Sequence, residues 1–270
     1  MTDTSAWKSA ARGAVALFGL GMIGVLALAV YSVPMLREIP ELSALSYPTL
    51  VLLASANSMI LLVVVVLLGT VTAPRIDLNS HVFAWASGGT PNWSEIRDSF
   101  PLAVVLGSGL FVVVAVIDAA FAQFTQFPVN EPTTDTDALR DLFVSVPMRL
   151  FYGGITEELL LRWGFMAPLA YVLWWGRNKV GDATETPSAT IMWVAIVVSA
   201  VAFGVGHLPA LASMFELTTP IIVRTIALNA LVGIALGWLF WRRSLETAMI
   251  AHAMFHVALV AVSSVIIVVA

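Results

Sequence analysis

The sequence predicts an all-α protein, a polytopic transmembrane helical bundle with about seven or eight membrane segments. Of the 270 residues, 59% are hydrophobic and only 11% are charged, and the mean hydropathy is +0.93. Several apolar runs reach the ~20 residues that a helix needs to span a bilayer. No cysteine is present, which excludes disulfides, thiolate metal sites and a cysteine nucleophile. No tract rich in lysine and arginine is present either, so no nucleic-acid partner is expected.

Three apolar runs in the first half of the chain predict the first three spans, at about residues 13–33, 48–72 and 101–122. The N-terminus is short, and no small-residue cleavage site follows its apolar run, which predicts a retained span rather than a removed signal peptide. Asp118 lies near the end of the third run, where it either lines a site or reaches interfacial water. Residues 1–138 are thus predicted to form an N-terminal three-span region.

A long polar stretch separates the second predicted span from the third, at residues 73–100. Prolines and the pair Gly88-Gly89 interrupt it, as is typical of loops. Asn92 precedes a short polar run and is predicted to cap a short surface helix. His81 lies away from any other titratable cluster in the sequence, which predicts a plain surface histidine.

The second region, residues 139–270, contains the remaining apolar runs, at 139–152, 155–175, 190–206, 221–241 and 245–269. If the first two of these runs make one crossing that is broken at Gly153-Gly154, four basic pairs fall on one side: Lys8/Arg12, Arg75/Arg97, Arg177/Lys179 and Arg242/Arg243. This arrangement has seven spans, and the positive-inside rule then predicts a cytoplasmic N-terminus in the cell membrane. Counting the short first run as a separate crossing gives eight spans and scatters these charges over both faces.

Ionisable residues interrupt one of these apolar runs, in the stretch Ile155-Thr156-Glu157-Glu158-Leu159-Leu160-Leu161-Arg162. A charge near the bilayer centre costs roughly 2.5–3.5 kcal/mol on insertion scales, so an intramembrane charge is a candidate functional group. On a helix, Glu158 and Arg162 share a face at the spacing of an ion pair, whereas Glu157 is offset by about 100°. One carboxylate is therefore predicted to be neutralised locally, while Glu157 stays free for chemistry.

Three of the chain's four histidines lie in the last apolar runs: His207, His252 and His256. His252 and His256 are four residues apart and share one helical face. Glutamate and histidine are side chains used for general acid–base catalysis near neutral pH, and imidazoles can also donate hydrogen bonds to an oxyanion. The same histidines could instead bind zinc together with a glutamate, although neither His-Glu-x-x-His nor its inverse is present. A shared polar site is predicted in either case.

Four motifs follow one another along the successive apolar runs of this region. They are Glu157-Glu158-x-x-x-Arg162, Phe203-x-x-x-His207, Asn229…Gly233…Gly237 and His252-x-x-x-His256. In this order they resemble the motifs of the CPBP family, the intramembrane CAAX-prenyl-protease and bacteriocin-processing proteins, over about residues 142–269. The resemblance implies a helical membrane bundle with its active site inside the bilayer and an activity of peptide-bond hydrolysis.

The resemblance also implies a role for each matched side chain. It assigns the water-activating base and its partner to Glu157 and His207, and the oxyanion site to His252 and His256. It leaves the other two residues of the first motif to hold the helix geometry: Glu158 and Arg162. The last motif commonly ends in asparagine in this family, whereas His256 stands here and adds a possible metal ligand while keeping a hydrogen-bond donor.

The leading prediction is an intramembrane endopeptidase that acts within the lipid bilayer on a membrane-embedded or lipidated, CAAX-like peptide. No essential metal is expected, because no dedicated zinc motif is present and the resemblance centres on Glu157; zinc is the alternative. A transporter coupled to protons or ions would use the same carboxylates as a relay. Such transporters usually show two related halves, and here only one half carries polar residues. A catalytically silent scaffold or immunity protein that binds a membrane peptide is the third possibility.

Overall fold

The computed structural model describes residues 3–125, 134–181, 183–214 and 216–269, and within them all regular structure is helical. The α-helices, in chain order, are α1 (Asp3–Arg37), α2 (Tyr47–Thr72), α3 (His81–Ala86), α4 (Trp93–Phe121), α5 (Asp135–Val144), α6 (Ala167–Val180), α7 (Ala189–Gly206), α8 (Leu208–Ala212), α9 (Thr219–Arg242) and α10 (Leu245–Val269). A 3₁₀ turn, Ala73–Ile76, follows α2. Two π-helical segments precede α6: π1 (Met148–Thr156) and π2 (Leu159–Met166).

Six helices in the described part of the chain are long and apolar enough to cross a membrane, namely α1, α2, α4, α7, α9 and α10. The predicted all-α, polytopic helical bundle is therefore confirmed. The remaining predicted crossing corresponds to π1, π2 and α6, which follow one another as one continuous helical run. Residues 127–133 of the sequence between α4 and α5 lie outside the described residues.

The predicted break at Gly153-Gly154 is wrong, because both glycines lie inside π1 and the helical run continues through them. The glycines serve helix packing rather than a bend. A Cβ atom on Gly154 would lie 3.1 Å from the Cβ atom of Ala253 in α10, so only a residue without a side chain lets the two helices approach this closely.

Close contacts join the two predicted regions, with α4 packed on α10 and α1 packed on π1. At the first contact, a Cβ atom on Gly107 would lie 2.1 Å from the carbonyl oxygen of Ala251. At the second, the Thr156 hydroxyl donates a 2.7 Å hydrogen bond to the Gly21 carbonyl. The N-terminal helices therefore form two walls around the segments that carry the motifs.

The first turns of α10 are enclosed by other parts of the protein instead of facing a membrane surface. The backbone N–H of Leu245 donates to the Asn79 carbonyl at 3.0 Å, and the Glu246 carboxylate accepts from the Ser80 hydroxyl at 2.6 Å and from the Val82 N–H at 3.0 Å. The start of the short helix α3 therefore contacts the first turn of α10. This arrangement lets α10 begin deep in the bundle, with its first residues buried.

The prediction of His81 as a plain surface histidine in a loop is wrong. His81 is the first residue of α3 and only 5% exposed, with Nε2 3.6 Å from the Glu95 carboxylate and its ring beside Trp93. The reason is that Ser80 caps α3, accepting a 3.1 Å hydrogen bond from the Phe83 N–H, so the chain becomes helical here and packs inward.

The structure also shows the contacts of two other polar residues in this half, Asn92 and Asp118. Asn92 is at the N-cap position of α4 itself rather than of a short surface helix, and its side chain accepts from the Ser94 hydroxyl, not from the backbone. Asp118 forms an ion pair with Arg224 of α9 and so links α4 to α9.

Candidate active site

The two glutamates lie at the junction of π1 and π2, where the helix is wider than an α-helix. The Glu157 N–H bonds to the Tyr152 carbonyl five residues back, and the Ala167 N–H bonds to the Arg162 carbonyl in the same way. Single π-helical turns inside longer helices are frequent at functional sites. Here they present two adjacent carboxylates to different surroundings.

Glu158 is fully buried and has Arg162 on one side and His252 on the other. One carboxylate oxygen lies 3.1 Å from Nε of Arg162, and the other accepts a 2.8 Å hydrogen bond from Nδ1 of His252. The Arg162 Nη2 donates to the Gly233 carbonyl at 3.1 Å, and its guanidinium lies over the Phe203 ring at 5.2 Å. This buried network connects π2 to α7, α9 and α10.

Glu157 is more open, with its side chain 17% exposed, and two imidazoles face it. One carboxylate oxygen is 4.0 Å from Nε2 of His207, and the other is 3.9 Å from Nε2 of His252. Both separations are too long for direct hydrogen bonds. A single water molecule that is hydrogen-bonded to both groups from one side can bridge a separation of this size.

The proton on each of these two imidazoles is fixed by the partner of Nδ1. In His207, Nδ1 lies 2.8 Å from the Phe203 carbonyl oxygen, which only accepts, so Nδ1 carries the proton. In His252, Nδ1 donates to the Glu158 carboxylate. When neutral, both rings therefore direct an unprotonated Nε2 toward Glu157.

His256 lies next to this group but makes no hydrogen bond to either glutamate among the described residues. Its ring stacks on His252, with centroids 5.0 Å apart and planes at 22°. Its Nδ1 is buried without a hydrogen-bond partner in the described structure. A Cβ atom on Gly153 would lie 2.6 Å from the His256 Nε2, so the glycine provides the space that this imidazole occupies.

The structure thus brings together Glu157, Glu158, Arg162, His207 and His252. His256 lies one turn further along α10, stacked on His252. The roles predicted for these residues remain predictions. In the described part of the chain, no group of three or more His, Cys, Asp or Glu side chains is arranged to hold a metal ion.

The motifs assigned no role to Phe203 and did not include Arg149. Phe203 packs edge-on against His207 and His252, at 4.7 and 5.9 Å between ring centroids, while Arg162 covers its face. Arg149 lies eight residues before Glu157 in the sequence and lines a cleft beside His256. Its signal in the sequence was a cation in the interior of the apolar run 139–152.

The third motif contributes backbone rather than side chains. Asn229 bonds to the Thr225 carbonyl of its own helix at 2.8 Å, whereas Gly233 supplies the carbonyl that binds Arg162. Gly233 also lets α9 approach α7, because a Cβ atom there would lie 2.9 Å from the Cα atom of Ala200.

Residues 140–258 match the family model described as type II CAAX prenyl endopeptidase Rce1-like. The resemblance predicted from the motifs is thereby confirmed for the segment that contains the whole cluster. The match supports CAAX-type intramembrane protease activity in general, with a prenylated or membrane-associated peptide as the substrate class. Comparison with curated proteins and with solved structures gave no match.

Proposed function

We propose that this integral membrane protein, whose residues 140–258 are Rce1-like, hydrolyses a peptide bond in a lipidated, CAAX-like peptide by means of a water molecule activated by Glu157. The observation that carries the proposal is the position of Glu157, whose two carboxylate oxygens face Nε2 of His207 and Nε2 of His252 at 4.0 and 3.9 Å.

A water molecule fits between Glu157 and His207. Two hydrogen bonds of about 2.8 Å that meet at the water at roughly 90° span about 4 Å. Such a water donates one proton to the carboxylate and the other to Nε2 of His207, because both atoms are acceptors. Its oxygen lone pairs are then directed away from both groups and are available for attack on a carbonyl carbon.

The reaction needs only one proton carrier. As the water oxygen attacks the scissile carbonyl carbon, Glu157 takes a proton from the water and the carbonyl oxygen becomes an oxyanion. The tetrahedral intermediate then collapses, the carbon–nitrogen bond breaks, and the Glu157 carboxylic acid returns the proton to the leaving amine. The products are a new carboxylic acid and a free amine, Glu157 is again a carboxylate, and atoms and charge balance.

The oxyanion requires a donor, and the hydrogen-bond pattern limits which imidazole can supply one. His252 donates from Nε2 only as an imidazolium, because its Nδ1 proton is already bonded to Glu158. The neighbouring Glu158 carboxylate stabilises that cation. His256 has no such fixed partner and can donate from either ring nitrogen, as an asparagine amide would at the same position.

Zinc is the alternative means of activating the water. Two ligand atoms on one tetrahedral zinc ion lie about 3.3 Å apart, since zinc bonds to nitrogen and oxygen are about 2.0–2.2 Å long. The separations of 3.9 and 4.0 Å at Glu157 are wider than this, so zinc would require the side chains to move together. The geometry therefore favours a water held directly by glutamate and histidine.

The test is the Glu157→Gln variant, purified in lipid nanodiscs and assayed for cleavage of a prenylated CAAX peptide. The amide keeps the shape of the side chain and removes the base, so turnover should be abolished while the unfolding temperature stays at the wild-type value. Glu95→Gln is the matched control, because the Glu95 carboxylate also lies beside a histidine, 3.6 Å from Nε2 of His81, but does not belong to the cluster. The control should retain turnover.

Retained turnover in Glu157→Gln would show that another group is the base. If wild-type protein and Glu157→Gln both bind the peptide and neither releases a fragment by mass spectrometry, the protein is a silent peptide binder rather than a protease.

A further inference from the structure

A cleft of about 550 Å³ lies beside the cluster, between π1 and α10. His256 forms part of its wall and is the residue that the cleft shares with the cluster. The other lining is almost entirely apolar and includes Phe143, Leu150, Val257 and Val260. This volume is within the range of about 300–1,000 Å³ that is usual for small-ligand pockets.

One cation lines this apolar cleft. Arg149 is half-buried there, and its Nε donates a 2.8 Å hydrogen bond to the Ser145 hydroxyl. Among the described residues, no carboxylate pairs with it. An arginine in an apolar membrane setting is costly unless it meets an anion or a set of acceptors, and its planar guanidinium suits a carboxylate in two-point contact.

We propose that Arg149 binds the free C-terminal carboxylate of the peptide substrate, so that the residues after the scissile bond lie in this cleft. The proposal rests on the proposed function and adds the feature by which the enzyme recognises where the peptide ends.

The distances agree with the length of the substrate tail. Arg149 precedes Glu157 by eight residues on one continuous helical run, which is at most about 12 Å along the axis. A C-terminal C-a-a-X sequence has three residues after its prenylated cysteine, and three extended residues span about 10 Å. A carboxylate held by Arg149 therefore brings the bond after the cysteine close to Glu157, and the apolar walls receive the aliphatic side chains.

The experiment compares two prenylated peptides of identical sequence, one with a free C-terminal carboxylate and one with a C-terminal amide, on the full-length protein in nanodiscs. Wild-type protein should prefer the carboxylate by roughly 10- to 100-fold in kcat/KM, mostly through KM, as a charge-assisted hydrogen bond predicts. Arg149→Gln should lose this preference and cleave the two peptides with equal kcat/KM, and Arg149→Lys should keep part of it. Arg140→Gln, an exposed arginine on α5 outside the cleft, is the matched control and should behave as wild type.

Equal cleavage of both peptides by wild-type protein, or an equal loss on both peptides in Arg149→Gln, would overturn the proposal. A dependence on Arg149 that appears only in nanodiscs of anionic lipid, and not on the peptide terminus, would identify a lipid site instead and would also overturn it.

A binding measurement separates failure of this proposal from failure of the proposed function. The free tripeptide a-a-X and its amide are titrated against wild-type protein and Arg149→Gln. Tighter binding of the carboxylate form that is lost in Arg149→Gln supports the anchor even if no peptide is cleaved, and its absence counts against the anchor even if cleavage occurs.

Discussion

Replacing Arg162 by alanine should destabilise the whole bundle rather than remove a catalytic step. Both Arg162 and Glu158 are fully buried, and the arginine also holds the Gly233 carbonyl. Without the guanidinium, the Glu158 carboxylate keeps only its hydrogen bond from His252. Removing one partner of a buried ion pair costs about 3–5 kcal/mol, because an uncompensated charge stays in an apolar interior. We expect a lower yield of folded protein and a clearly lower unfolding temperature in detergent.

The control variants separate the charge from the volume of the side chain. Arg162→Met keeps most of the volume and should be nearly as unstable as Arg162→Ala. The double variant Glu158→Gln/Arg162→Met buries no net charge, and its amide oxygen can still accept from His252, so most of the lost stability should return. If Arg162→Ala folds and melts as wild type but has no turnover, the structural role is refuted and Arg162 acts in the chemistry directly.

Three further predictions concern helix contacts around the cluster. His256→Asn should keep turnover within roughly tenfold, since an amide supplies the same donor. Elemental analysis tests the metal-free mechanism, which would be contradicted by stoichiometric zinc that disappears together with activity in this variant. Gly153→Ala should lower kcat by roughly 10- to 100-fold, because the new methyl group displaces the imidazole 2.6 Å away, and adding His256→Asn should restore most of it in the same peptide assay. Gly107→Ala should cost about 1–3 kcal/mol in unfolding experiments by pressing on the Ala251 carbonyl, whereas Gly109→Ala on the same helix, with nothing within 4 Å of its Cβ position, should melt as wild type.

Contacts within one helix could be predicted from the sequence, and contacts between helices could not. The Glu158–Arg162 pair follows from spacing alone, and the structure has it at 3.1 Å. The hydrogen bond from His252 to Glu158 joins residues 94 positions apart, so spacing carries no information about it. His252 lies only a few turns from the basic end of α9, and it reaches Glu157 because α10 begins inside the bundle.

A local capping signal was available for α3, which lies in the stretch 73–100 that the composition indicated as a polar loop. Ser80 before an apolar run is a typical helix start, and the structure has α3 there, with the Ser80 hydroxyl also donating to Glu246. Composition alone indicated a polar loop, because the surrounding prolines and glycines dominate the average. The π-helical turns around Glu157 had no such signal, since the glycines that accompany them also occur in bends and in close helix contacts.

The adjacent glutamates lie in different surroundings although they are consecutive residues. Glu158 has an arginine beside one oxygen and an imidazole N–H on the other, so its carboxylate is stabilised on both sides. Through that same imidazole it fixes the His252 tautomer and directs an unprotonated Nε2 toward Glu157. Glu157 has no cation as close as this, and its two facing nitrogens accept rather than donate when neutral. In the proposed mechanism Glu157 holds and activates the water, whereas Glu158 keeps the geometry in which this can happen. Stability and catalysis are therefore expected to respond to different members of the pair, although His252 connects them.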